Sequence, residues 1–214
     1  MDFGLAFSFA FKDPDWLKKI ALAGLVSLIP IIGQIFIIGW GLEVTRRVIR
    51  HEPELLPDLD FGENLSKGFQ AFVISLVYSI PIILFSLIIN ISTALAANQQ
   101  NGDTAAVVIA AISVCCGGLM LIYGIALGFW IPAAFGNFVD KGQLSAGFNF
   151  NDILALIKAA PVAYLIVLLG SLVAGFVGSL GTIACVVGVI ITYAYSMAVI
   201  SHFYGQAYNQ AKGY

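Results

Sequence analysis

The chain has 214 residues, of which 60% are apolar and only 10% charged, and its net charge is -2. Its mean hydropathy is +0.95. Soluble domains carry about 25% charged residues, so the composition argues against a water-facing enzyme, a disordered tail and a nucleic-acid binder, and a polytopic membrane protein remains.

Residues 1–11 are apolar but begin with an acid, Asp2, where a cleaved leader would carry basic residues. They are expected to lie at the membrane surface. A charge-free stretch of 23 residues follows, between Lys19 and Glu43. Pro30 and Gly33 interrupt it. Proline removes a helix hydrogen bond and clashes with the preceding turn. The two halves would each be about 20 Å long at 1.5 Å per residue, short of a hydrocarbon core of about 30 Å. A helical hairpin over 16–50, re-entrant or shallow, is expected.

Residues 51–67 form the most polar segment, with Glu52, Glu54, Asp58, Asp60 and Glu63 and prolines at 53 and 57. The acid spacing does not match a calcium loop, so a solvated cytoplasmic loop or a docking surface is expected. The next charge-free stretches hold 35, 36 and 53 residues. A spanning helix needs about 20 apolar residues. The first two stretches predict helices over 68–97 and 104–137. The third is too long for one helix, and a turn at Gly178–Gly181 divides it into 152–178 and 182–208. Pro81 and Pro132 read as kinks. The expected fold is all-α: one integral membrane domain over 1–214, a bundle of four spanning helices plus the N-terminal hairpin.

Charge placement supports this arrangement. With a hairpin that returns to its own side, all ten Lys and Arg residues share one face, and the 98–103 loop and the 178–182 turn opposite carry none. The positive-inside rule makes the basic face cytoplasmic, with both termini on it. Trp16, Trp40 and Trp130 then fall near the cytoplasmic interface. A faint repeat runs through residues 11–18, 61–67 and 150–158, each with a phenylalanine, an acid and a lysine before an apolar run. Asp13, Glu63 and Asp152 would suit helix N-termini.

Few residues suggest chemistry. His202 is the only ionisable side chain besides cysteine and tyrosine in the 53-residue stretch. A proton or metal contact is one reading, and an interfacial histidine bonded to a neighbour is the plainer one. Cys115, Cys116 and Cys185 show no metal spacing and read as small buried thiols. Glu43 stands three and four residues before Arg46 and Arg47, so the pairs can meet on a helix. Arg46, Arg47 and Arg50 are candidates for a headgroup or partner contact, because guanidinium binds phosphate in bidentate fashion; a topology anchor is the bland alternative. Gly124, Gly128, Gly170, Ala174, Gly178 and Gly188 form small-residue faces that let helices approach closely in lipid, either within the chain or in a homodimer. No catalytic residue, cofactor or metal site is expected.

Asp15-Trp16 with Lys18-Lys19, the Ile29-Pro30 break with Gly33, the run from Gly39 to Arg46-Arg47, the Leu56-Pro57-Asp58 segment and Lys67-Gly68-Phe69 together resemble the bacterial and archaeal membrane proteins of domain of unknown function 4013. The resemblance is strongest over 11–72; the later helices match only in hydrophobic pattern. It implies a multi-pass protein of a prokaryotic cell membrane and implies no activity. The expected role is a non-enzymatic accessory or scaffold subunit of a larger membrane complex, with lipids and other membrane subunits or a second copy as partners and no nucleic acid. A transporter or lipid-binding protein with a site between hairpins is the alternative.

Overall fold

The computed structural model describes residues 1–96 and 102–214, and no strand occurs among them. Eight α-helices follow in order: α1 (Phe3–Ser8), α2 (Trp16–Ser27), α3 (Ile32–Ile49), α4 (Phe61–Ala96), α5 (Gly102–Lys141), α6 (Phe150–Ala159), α7 (Pro161–Leu180) and α8 (Cys185–Lys212). Four of them, α4, α5, α7 and α8, are long and apolar enough to cross a membrane. The chain is an all-α, multi-pass membrane protein. Of the expected 98–103 loop, residues 98–101 lie outside the described residues.

Two of the boundaries that differ from expectation have a local cause. Asp60 ends the polar segment and its carboxylate accepts from the Glu63 amide at 2.9 Å, so α4 starts at Phe61 and not at 68. This cap recruits the end of the expected 51–67 loop into the helix. Pro81 and Pro132 both lie inside continuous helices. The helix expected over 152–178 is two helices. Ala160 leaves the helical region and Pro161 occupies the first position of α7, where a missing N–H costs nothing. The expected turn at Gly178–Gly181 falls later: α7 runs to Leu180, a 3-10 turn spans Gly181–Ala184, and α8 begins at Cys185 with a φ of 56°.

The proposed repeat is only partly structural. Glu63 and Asp152 lie in the first turns of α4 and α6, but α2 has no acid in its first turn. Lys67 pairs with Glu63, but Lys18, the lysine of the first copy, is exposed, and Asp13 pairs with Lys19. Asp152 instead pairs with Lys141.

The described residues fall into two compact units, Met1–Ile74 with Phe129–Tyr214, and Ser75–Gly128. In the first, α8 is the axis. Ala194, Ala198, Val199, Phe203, Ala207 and Tyr208 are fully buried. α3 runs parallel to α8: the Tyr193 hydroxyl donates to the Gln34 side chain at 2.8 Å, Thr45 donates to the Ser201 carbonyl at 2.9 Å, and Asn209 donates to the Val48 carbonyl at 2.9 Å. α2 and α7 run antiparallel to it. A Cβ at Gly24 would lie 2.1 Å from the Ile190 carbonyl oxygen. The Ser196 hydroxyl donates to the Ala174 carbonyl at 2.7 Å. The N-terminal segment packs on the same axis, with Phe3 and Phe7 against Phe203 and Ala6 fully buried.

The α2–α3 hairpin turns at residues 28–31. Ile31 has a φ of 65°, an uncommon conformation for a β-branched residue. Gly33 allows the tight return, since a Cβ there would lie 2.1 Å from the Val26 carbonyl oxygen. Leu28, Ile29, Ile31 and Ile32 are all exposed at this tip. In the second unit the Tyr123 hydroxyl donates to the Tyr78 carbonyl at 2.9 Å. Large apolar side chains such as Leu84 and Leu121 are exposed along its helices.

Where α3 meets α4, two glycines face each other's backbones. A Cβ on Gly39 would lie 1.8 Å from the Asn64 carbonyl oxygen, and one on Gly68 would lie 1.8 Å from that of Ile35. Gly39→Ala and Gly68→Ala should each cost about 1–3 kcal/mol through overpacking. Gly118→Ala, which meets nothing within 4 Å, should be neutral or stabilising by up to about 1 kcal/mol from helix propensity. Thermal unfolding of the purified chain in detergent measures the contrast.

Candidate functional site

The densest group of charges lies where α3 ends and α4 begins. Glu43 is at the centre. It sits on the face of α3 that turns inward and is only 7% exposed. Burying a lone carboxylate is costly unless it is paired and hydrogen-bonded. Three cations meet this need. Arg46, one helical turn on, places its Nε 2.9 Å from both carboxylate oxygens and its Nη2 on Oε1. Lys67 arrives from α4 and donates to Oε2. Arg47 Nε lies 3.4 Å from Oε1.

The same cations reach outward. Arg46 Nη1 lies 2.8 Å from Glu52, Arg47 Nη1 donates to the Glu54 carbonyl at 2.9 Å, and Lys67 lies 2.6 Å from Glu63. The cluster therefore ties α3 to the start of α4 and to the 52–56 segment. Two further contacts hold that segment down. Trp40, fully buried, donates its indole N–H to the Pro57 carbonyl at 3.1 Å. Lys19 donates to the Leu56 carbonyl at 3.0 Å and pairs with Asp13 at 2.8 Å and Asp58 at 3.4 Å. Leu56 itself is buried. The segment expected as a solvated loop or docking surface is anchored through Leu56 and Pro57, while His51, Pro53, Glu54, Asp58 and Asp60 stay exposed. An open cleft of about 530 Å³ runs beside it, lined by residues 12–15, Lys19 and 52–56 among others.

The electrostatics follow from these contacts. Burial pushes the Glu43 carboxyl up, but hydrogen bonds from Arg46 and Lys67 and the charges behind them outweigh it and hold the group at about 2. The hydrogen bond to Glu43 raises the Arg46 guanidinium above its ordinary value against the effect of burial. For Lys19 burial acts downward, and the bonds to Asp13 and Asp58 overcome it, so the ammonium is held above its ordinary value.

The structure separates the three candidate arginines. Arg46 and Arg47 turn inward onto Glu43 and Glu52, while Arg50 is exposed at the end of α3. Arg46 also lines a smaller cavity of about 290 Å³ with Glu63, Ser66, Lys67, Gln70 and the end of α5. The small-residue positions also divide. Gly170 faces the Phe203 ring, Gly178 faces Ser196, and Ala174 is fully buried, so that face of α7 is occupied by α8. The Gly188 carbonyl oxygen comes within 2.5 Å of a Cβ built on Gly181 and accepts from Thr192 at 3.0 Å. Gly124 meets nothing within 4 Å, and Gly128 is partly exposed.

His202 is buried, stacks on Phe9 at 4.5 Å and has Nδ1 3.1 Å from the Gln206 amide nitrogen. Cys115 and Cys185 lie on the exposed surface, and Cys116 is half-buried, so the thiols are not the buried groups expected. Among the described residues no three His, Cys, Asp or Glu side chains converge as metal ligands would.

Sequence spacing alone pointed to Glu43 with Arg46 and Arg47. It did not reveal Lys67, which stands 24 positions away and reaches Glu43 only through the α3–α4 crossing at Gly39 and Gly68. Nor did it reveal the anchoring of 52–58 by Lys19 and Trp40.

A model of the family described as "Protein of unknown function (DUF4013)" matches residues 22–187, and the chain belongs to that family. The matched region contains Glu43, its three cations and the pinned segment. No curated protein and no solved structure matches the chain.

Replacing Glu43 by glutamine leaves three cations without their shared partner. Breaking a buried ion pair in this way should cost about 3 kcal/mol. The folded carboxyl lies below its unfolded value, so its contribution is complete above about pH 4.5 and is lost as pH falls toward about 2. Melting the wild-type chain in detergent across that window should show a drop in stability that Glu43→Gln lacks.

Proposed function

We propose that the chain is a non-enzymatic membrane subunit that scaffolds a larger complex in a prokaryotic cell membrane. The observation that carries this reading is the contrast between two glycine-bearing faces. On α7, Gly170 and Gly178 are filled by α8 of the same chain. On α5, Gly117 and Gly124, two turns apart on one face, have open space where a Cβ would sit. In lipid, helices associate through such faces by close packing. The open face suits a helix from another subunit or from a second copy. The pinned 52–58 segment supports the same reading, since it forms a stiff surface beside α2 and α3 for a partner to meet.

Purification in a mild detergent tests this. The wild-type chain should be recovered in a stable stoichiometric assembly. Gly117→Leu with Gly124→Leu should release it as a monomer without lowering its thermal stability. Recovery of the wild-type chain alone, with a lipid-filled or wet central cavity, would favour the transporter or lipid-binding alternative.

The topology proposed places both termini and all ten basic residues in the cytoplasm. The α2–α3 hairpin is the element that decides it. α3 lies parallel to α8 from Gln34 beside Tyr193 to Val48 beside Asn209. Leu28, at the hairpin tip, shares a shallow depression with Thr182 and Cys185 of the α7–α8 turn. These neighbours support a deep re-entrant hairpin that returns to its starting side. In a cysteine-free background, Gln100→Cys should react with an impermeant maleimide in intact cells, and Asp15→Cys should react only after permeabilisation. Reaction of both in intact cells would mean that the first segment crosses once.

A further inference from the structure

The cavity of about 290 Å³ at the junction of α3, α4 and α5 is not explained by the scaffold role. Arg46 lines it from α3, and Glu63, Ser66, Lys67 and Gln70 line it from the first turns of α4. Phe138 closes it from α5. The two cations are engaged with acids but not exhausted. Arg46 has five N–H donors, and its bonds to Glu43 and Glu52 use Nε, one on Nη1 and one on Nη2. Lys67 has three donors and spends two, on Glu43 and Glu63. The side chains of Ser66 and Gln70 add neutral donors on the same stretch of α4.

Position adds a second argument. The cavity lies where α4 and α5 pass from charged ends into their long apolar stretches. Basic pockets between helices at this level take lipid headgroups. Arg46, Lys67 and Glu63 line it, and with Arg47, Glu43 and Glu52 paired behind them three cations stand against three acids. This neutral cluster suits a singly charged phosphodiester better than a doubly charged phosphate. The Phe138 wall suits the apolar chain attached to such a group. We propose that this cavity binds a phosphate group, held by the spare donors of Arg46 and Lys67 together with Ser66 and Gln70. The site is independent of any partner subunit, so its failure would leave the scaffold reading standing.

The full chain in detergent micelles is titrated with dihexanoyl-phosphatidylglycerol, with dihexanoylglycerol, which lacks the phosphate, and with inorganic phosphate. The readout is the shift in melting temperature. The phospholipid should raise it saturably and dihexanoylglycerol should not. Ser66→Glu, at an exposed position, should weaken the apparent affinity about tenfold by placing a carboxylate against the anion and removing a donor. Lys67→Gln should weaken it as well. Glu63→Gln should strengthen it about threefold, because it frees Lys67 and removes a like charge. Should Ser66→Glu fold poorly, as judged by its melting temperature without ligand, Gln70→Glu serves in its place. If inorganic phosphate alone gives a saturable shift with the same dependence on Ser66→Glu, the natural occupant is a free anion; if only the phospholipid does, it is a headgroup. An equal shift from dihexanoylglycerol, or an unchanged response in Ser66→Glu and Gln70→Glu, overturns the proposal.

Discussion

Close backbone approach to α8 is the constraint from which the rest of the larger unit follows. Lipid tails are as apolar as leucine, so the hydrophobic effect gives helices no reason to associate within a bilayer; packing and hydrogen bonds must do it. This chain meets that need with small residues. α2 comes in through Gly24, α3 through Gly41 opposite Ser201, and α7 through Gly170 and Gly178. On α8, Gly205 accepts Val48 in the same way. On the α3 and α7 sides of α8, side-chain polar groups reach carbonyls across the helix pairs that these contacts bring together. Thr45 reaches the Ser201 carbonyl, Ser196 that of Ala174, Thr192 that of Gly178 and Asn209 that of Val48. Small residues and interhelical hydrogen bonds are thus one device. The first sets the distance and the second uses it.

The charge cluster depends on the same geometry one step removed. Lys67 can meet Glu43 because α3 and α4 cross with Gly39 and Gly68 against each other's backbones. A larger residue at either position would separate the helices and leave a buried carboxylate with fewer partners. Ion pairs of this kind are weak sources of stability but strongly penalise a missing partner. The cluster is better understood as a lock on register than as a stabiliser. It accepts one crossing of α3 and α4 and one position of the 52–56 segment.

Much of this fold was legible in the sequence because charge is so scarce. The three longest charge-free stretches marked the four spanning helices, and Pro30 with Gly33 in the shortest marked the hairpin. Boundaries set by single side chains were less visible. The Asp60 cap extends α4 into what looked like loop, and Pro161 splits the helix expected over 152–178 three residues after Lys158. The α7–α8 turn lies after Gly181 because that glycine meets the Gly188 carbonyl and Thr192 across the turn, a contact that is tertiary. The same division holds at the site. Glu43, Arg46 and Arg47 share one helix face and could be paired by counting. Lys67, Lys19 and Trp40 join through packing that no local pattern encodes. The small-residue faces looked equivalent in sequence, yet one is filled and another open.

The ten basic residues can now be sorted by what they hold. Lys19, Arg46, Arg47, Lys67 and Lys141 are engaged in ion pairs with acids. Lys12, Lys18, Arg50 and Lys158 are exposed, and Lys212 lies 5.5 Å from the centre of the Tyr208 ring. Topology depends on Lys and Arg counts, with acids contributing little, so residues of both groups can orient the chain. Only the paired group shapes the folded surface. That division shows how a protein with so few charges ties half of its cations into ion pairs with its own acids. It also limits what the exposed cations do: they lie on separate elements, α2, α3 and α6 and the turn before α2, and mark a face more than a site.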